Sequence, residues 1–157
     1  MAAPQFGVRE PGRDYPDRPA AFAVLERDGL VAVVRVDSRR RGLVLDLPGG
    51  GIDDGESARD AAARECGEEA GLVVELEAEP FALADHYFIN DDGWSHNSRG
   101  RFFSGRVAAE APELKVEDDH TLVWITPQDA LTGLDRDAHA WAMAAWMRRL
   151  ERERPTG

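Results

Sequence analysis

A solitary cysteine, Cys66, and a solitary lysine, Lys115, are the scarcest reactive side chains in this chain of 157 residues. A single cysteine excludes an intramolecular disulfide and a cysteine-built zinc site, and fits a reducing compartment. The lysine sits in Glu113-Leu114-Lys115-Val116 with no glycine beside it, which excludes the phosphate loop whose lysine follows a glycine-rich turn. Long apolar runs are also missing. No uncharged stretch reaches the roughly 18 residues of a membrane span, and Met1 to Phe6 lack the basic start and apolar run of a secretory signal. The expectation is a cytoplasmic protein without a membrane partner. Cationic side chains are in short supply as well, with 19 Lys and Arg against 30 Asp and Glu, for a net charge of −11. Such a surface repels a phosphate backbone, so nucleic acid is not an expected partner, and an acidic ligand needs a bridging cation.

What is present is the composition of a globular domain: 43% hydrophobic and 31% charged residues, over a length suited to one core, taken as residues 1–157. Residues 1–19 carry Pro4, Pro11, Pro16 and Pro19 with Gly7 and Gly12, and read as an extended arm. Ala20 to Glu26 and Leu30 to Val36 read as paired strands around an Asp28-Gly29 turn. After the basic turn Ser38 to Gly42 and a short strand from Leu43 to Leu47, Pro48-Gly49-Gly50-Gly51 reads as a break in regular structure. Ser57 to Ala70 predicts a helix, capped by Ser57 and stopped by Gly71.

Beyond that helix, Val73 to Leu83, His86 to Ile89, Arg101 to Val107 and Leu122 to Ile125 read as strands, with Asn90 to Arg99 a polar loop. Thr126-Pro127 opens a short helix, and a longer one runs from about Asp137 to Glu153. Its Met143, Trp146, Met147 and Leu150 form a stripe for burial, while Trp141 and Ala145 on another side leave room for a homodimer contact. This order implies an α/β fold, a mixed sheet with helices against its faces.

Chemistry concentrates between Gly50 and Leu72. On a helix Glu65, Glu68 and Glu69 are i, i+3 and i+4, so their carboxylates crowd one face within about 5–6 Å at Cβ and repel. Gly67 inside the same helix costs about 1 kcal/mol more. At 100° per residue Glu65 and Glu69 share the side of Ala58 and Ala62, so the acids overlap the face narrow enough to lie close to a sheet. The plain alternative is a solvated acidic face with an Arg64–Glu68 pair. Carboxylates held in partial enclosure call for a cation instead. Oxygen donors without histidine or cysteine on that face favour Mg²⁺ or Mn²⁺, and Mg²⁺ is readily shared with substrate phosphates.

The segment resembles the signature of the Nudix hydrolase family, G-x5-E-x7-R-E-U-x-E-E-x-G-U with U apolar. Gly50, Glu56, Arg64, Glu65, Glu68, Glu69 and Gly71 occupy every fixed position, and Leu72 the last apolar one. The resemblance implies an α/β/α sandwich with a mixed sheet, and a metal-dependent pyrophosphatase in which water attacks phosphorus in a nucleoside diphosphate derivative. ADP-ribose-like compounds, nucleoside triphosphates, dinucleoside polyphosphates and nucleotide sugars all belong to the substrates it allows. It further implies that Glu65, Glu68, Glu69 and the Gly50 carbonyl are metal ligands, that Arg64 orients a glutamate by ion pairing, and that Glu56 is a supporting partner. The general base stays open among Glu65, Glu117, Asp119 and His120. The same scaffold can also serve as a nucleotide-binding or sensing module that does not cleave, against which the intact acidic trio argues.

Outside the motif, Arg18, Tyr87 and Trp94 are candidates for substrate contact, by guanidinium–phosphate pairing or by stacking on a base. Arg39, Arg40 and Arg41 read more simply as a solvated turn. Cys66 reads as a small buried residue. The segment Asn90 to Arg99 is expected to govern substrate choice.

Overall fold

Alternation along a single strand builds the two-sided core. In the computed structural model, which describes residues 2–155, strand β2 spans Asp17–Arg27. Its Ala20, Phe22 and Val24 are buried in one cluster, and its Ala23 and Leu25 in another across the sheet. Successive side chains of a strand point to opposite faces, so both sides of β2 must be covered. The cover comes from α1, Ala58–Ala70, on one side and α3, Asp137–Glu153, on the other, which makes an α/β/α sandwich.

The other strands are β1 Gln5–Phe6, β3 Leu30–Ser38, β4 Gly42–Asp46, β5 Gly49–Gly51, β6 Leu72–Leu76, β7 Ala82–Ile89, β8 Ser95–Glu110 and β9 His120–Ile125. They form one mixed sheet in the order β1-β7-β8-β2-β3-β4, with β5 on β2, β6 on β8 and β9 on β3. β2 and β3 meet in a two-residue hairpin, with Asp28 and Gly29 at φ of 55° and 79°. Two positive φ angles suit the right-handed twist of the flanking strands. A short helix α2, Pro127–Gly133, capped by the Thr126 hydroxyl, precedes α3.

Three expectations are corrected. The arm is built into the sheet, because β1 pairs in parallel with β7 and β2 already begins at Asp17. The Pro48–Gly51 break contains strand β5, antiparallel to β2. Glycine permits it: a Cβ at Gly49 would lie 2.3 Å from the Ala21 carbonyl oxygen. The stretch Asn90 to Arg99 is not a loop either, since β8 begins at Ser95 and only the turn 90–94 connects it to β7.

Both longer helices follow local rules. Ser57 Oγ accepts from the Asp60 N–H, and Gly71 closes α1 at φ 67°, its N–H donating to the Gly67 carbonyl. Ala61, Ala62 and Cys66 are fully buried, so α1 lies close against Ala21, Ala23 and Phe103. In α3 Met143 and Trp146 are buried, Met147 is partly so, and Leu150 is exposed. Trp141 is met by Phe6 of the arm, with ring centres 6.2 Å apart.

Candidate active site

Helix α1 carries the acids to the edge of a cleft, and Arg64 gathers them. The Arg64 guanidinium donates to Glu56 at 2.9 and 3.0 Å, to Glu65 at 3.1 Å, to Glu68 at 3.0 Å and to the Gly51 carbonyl at 3.2 Å. Its own charge is held firmly, first by the Glu56 hydrogen bonds and then by the other carboxylates. Glu56 in turn accepts from the Asp53 N–H, which fixes the turn entering the helix. Arg64 therefore orients three glutamates of the motif.

Glu65 shows what this arrangement costs. Burial first, and then the neighbouring charge of Glu69, push its carboxyl up to about 7, with Arg64 offsetting only part. A Cβ at Gly50 would lie 2.8 Å from Glu65 Oε1, so only glycine lets the backbone approach that carboxylate. Clustered hard oxygens, an elevated carboxyl and a glycine cradle match what a divalent cation requires, and on that chemistry the residues fit one.

Glu69 is turned the other way. It is buried, and its two oxygens accept from the Gly49 N–H at 2.8 Å and lie 3.0 Å from His120 Nε2. Burial raises the Glu69 carboxyl against the pull of His120. For His120 burial also opposes the charge, but Glu69 and then Asp119, 2.8 Å from Nδ1, outweigh it and raise the imidazole to about 9. The loop bearing these residues is tied to α1, since the Val116 and Glu117 N–H groups both donate to the Glu68 carbonyl. Glu117, Asp119 and His120 can bring ligand atoms within 4.8 Å of one another.

The remaining candidates separate. Arg18 lines a cleft beside Gly50 and Gly51, and its guanidinium lies over the ring of Trp94. Trp94 stands half-exposed at the rim and stacks on His96. Tyr87 faces the arm, edge-on to Tyr15 and beneath Arg9, while its neighbour Phe88 points into the cleft. Arg41, read as a solvated turn residue, is instead largely buried and paired with Asp46 and Asp135 at 2.8 and 2.9 Å.

Sequence reasoning missed Arg136, Asp46 and His96. Arg136 stacks on Phe88 with its guanidinium carbon 3.7 Å from the ring centre, and its Nε lies 3.6 Å from Asp46. Burial works against the charge of Asp46, but Arg136 and Arg41 hold its carboxyl well below the usual carboxylate range. A cavity of about 180 Å³ runs from Glu69 and His120 past Asp46 to Arg136 and Phe88.

The sequence model of the NUDIX domain matches residues 16–150. An RNA pyrophosphohydrolase of Sphingopyxis alaskensis is 34% identical over 118 residues, covering 67% of this chain and 72% of that protein. Another, from Erythrobacter litoralis, is 43% identical over 58 residues, 36% of this chain, so the match spans only 35% of that relative. Among solved structures, a NUDIX hydrolase from Nitrosomonas europaea superposes with a TM-score of 0.71 at 20% identity, over 85% of this chain and 90% of that one.

Proposed function

This chain belongs to the Nudix family, and we propose that it is a pyrophosphohydrolase cleaving a diphosphate linkage in a nucleotide derivative with a divalent cation, Mg²⁺ or Mn²⁺. The observation that carries the proposal is the Arg64-centred cluster, in which Glu56, Glu65 and Glu68 are held around one guanidinium at 2.9–3.1 Å. Glu65, Glu68, Glu69 and the Gly50 carbonyl are the proposed ligands, Glu69 by exchanging its contact with His120 for the cation. When bound, such a cation neutralises phosphate charge and lowers the pKa of a coordinated water.

The chain's own residues do the rest. Arg64 positions Glu65 and Glu68, and Glu56 steadies Arg64. Phosphoryl transfer asks mainly for positioning and charge neutralisation, which such a cluster is built to provide. Glu65 is the proposed base, because its carboxylate abuts the glycine loop and is oriented by Arg64. His120 suits that role poorly, since both ring nitrogens already face carboxylates. Glu117 and Asp119 are better read as further acids at the same mouth. Arg18 and Trp94 are the proposed substrate contacts, and Tyr87, directed at the arm, is a support for that contact region.

The relatives' names bring RNA 5′ ends into the range of substrates, beside nucleoside triphosphates, dinucleoside polyphosphates, ADP-ribose-like compounds and nucleotide sugars. With a net charge of −11, a nucleic acid would engage through its terminal phosphates rather than along its backbone. No described helix is long and apolar enough to cross a membrane. The test is a product-resolved screen of these classes in oxygen-18 water with Mg²⁺ or Mn²⁺. Release of phosphate or nucleoside monophosphate, reduced by orders of magnitude in Glu65→Gln with folding intact, is the expected outcome. Tight binding without release under either metal would favour a sensor instead.

A further inference from the structure

In a chain this acidic, two guanidiniums share a cleft that no carboxylate lines. The cleft, about 50 Å³, lies beside the Gly50–Gly51 backbone and is walled by Arg18, Phe88, Asn90, His96, Ser98 and Arg136. Among the described residues neither the Arg18 nor the Arg136 guanidinium makes a hydrogen bond to protein, and the buried Nε of Arg136 has no hydrogen-bond partner. Of the acids around Arg136, which include Glu69 and Asp135, Asp46 alone is in ion-pair range, at 3.6 Å, and its oxygens already accept from Arg41 at 2.8 and 3.1 Å. Phe88 covers a face of the Arg136 guanidinium, which leaves its N–H edge for a ligand.

A second, independent observation comes from another strand. His96 is 2% exposed, its Nε2 meets Asn90 Oδ1 at 3.1 Å, and its Nδ1 is buried with no partner. Buried polar atoms left unpaired are costly and uncommon, and three residues converging on one small space imply a ligand that completes them. Guanidinium forks match phosphate oxygens, and the small cleft suits a compact tetrahedral anion.

We infer that Arg18, Arg136 and His96 form an anion subsite for a phosphate outside the pair held at the glutamate cluster. Gly50 separates the two places, because it lines the cleft while its α-carbon faces Glu65. Resting on the pyrophosphohydrolase reading, this makes the substrate class one with a free polyphosphate end, a triphosphate rather than a diphosphate closed by a neutral sugar. Burial and the two neighbouring guanidiniums hold the His96 imidazole down to about 4 with its one proton on Nε2 toward Asn90, and a bound anion favours uptake of a second proton at Nδ1, which then donates to it.

The test has two arms. In chelator, without divalent metal, inorganic phosphate is titrated calorimetrically into the full-length protein, Arg18→Gln, Arg136→Gln, Arg136→Lys and the exposed-turn control Arg39→Gln. Wild type and Arg39→Gln should bind alike, both glutamine variants at least tenfold more weakly, and Arg136→Lys in between. Glutamine variants that fold and bind phosphate like wild type, or no binding by wild type, would overturn the inference. With Mg²⁺, kcat/KM is compared for a nucleoside triphosphate, a triphosphate-ended oligoribonucleotide and ADP-ribose. A triphosphate should be preferred at least tenfold, with KM rising in Arg18→Gln, and the better of the two triphosphates identifies the source. Preference for ADP-ribose would overturn it. If nothing is hydrolysed, the enzymatic reading fails, yet metal-free phosphate binding still decides the subsite.

Discussion

Replacing Glu65 by glutamine should stabilise the metal-free protein at pH 8. The ordinary carboxyl value of 4.5 becomes about 7 in the fold. Between those values the folded protein keeps a proton that the unfolded chain has released, so stability falls as pH rises through that window. At about 1.4 kcal/mol per pH unit the gap corresponds to roughly 3 kcal/mol, and partial solvent access brings it to about 2. For a domain of this length that is a Tm difference of about 4–8 °C. His120 adds a separate decline, since its raised imidazole holds a proton from its ordinary 6.5 up to about 9, and stability is lost as pH climbs through that range. Thermal melts in chelator at half-unit steps from pH 4.5 to 9 should therefore show Glu65→Gln with a shallower lower decline, the remainder belonging to the raised Glu69 carboxyl, and an unchanged upper one. Saturating Mg²⁺ should restore wild type at pH 8 and help the variant much less, because the cation relieves the repulsion that glutamine has already removed. A variant that melts below wild type at pH 8 in chelator, or that keeps the full decline between pH 4.5 and 7, would refute the reasoning.

Two further predictions probe the frame around the site. Gly49→Ala places a methyl 2.3 Å from the Ala21 carbonyl oxygen, so β5 must shift, at a cost of about 1–3 kcal/mol or more in denaturant unfolding. Turnover should fall as well, since the Gly49 N–H holds Glu69; a silent substitution would show that this contact does not position the acid. Asp46→Asn takes from Arg136 its ion-pair partner and from Arg41 one of two, leaving it Asp135, and should cost about 3–5 kcal/mol at pH 7. Because the Asp46 carboxyl is depressed, its contribution is present above pH 4 and lost on further acidification. Wild-type stability should thus drop below pH 4 more steeply than that of the variant, and parallel acid profiles would count against the pairing.

What could be read from the sequence was what is encoded over short distances. The Ser57 cap, the Gly71 stop and the positions of Glu65, Glu68 and Glu69 follow from helical spacing within α1, and the stripe of α3 from its period. The start of β8 was misread for a physical reason: Ser95, His96, Asn97 and Ser98 are all buried, yet all are polar. Hydrophobic alternation cannot reveal a strand whose inner residues serve a cleft and an arm. Ser95 Oγ donates to the Asp14 carbonyl, Asn97 exchanges hydrogen bonds with Gln5, and His96 faces the cavity.

Arg136 escaped for a different reason. It stands at the start of α3, a position with no motif around it, and its meaning depends on Phe88 being brought from β7 and Asp46 from β4. The pairing of β7 with β8 and of β8 with β2 sets those meetings, and neither register is written in any local spacing. The two halves of the cleft therefore differ in kind. One is a contiguous acidic motif whose chemistry is visible in one dimension; the other is a cationic pocket assembled from β2, β7, β8 and the head of α3, legible only once the sheet is folded. A net charge of −11 makes the second half the more telling, because guanidiniums amid so many carboxylates keep free N–H groups only where the fold keeps those carboxylates hydrogen-bonded elsewhere, as Arg41 does with Asp46.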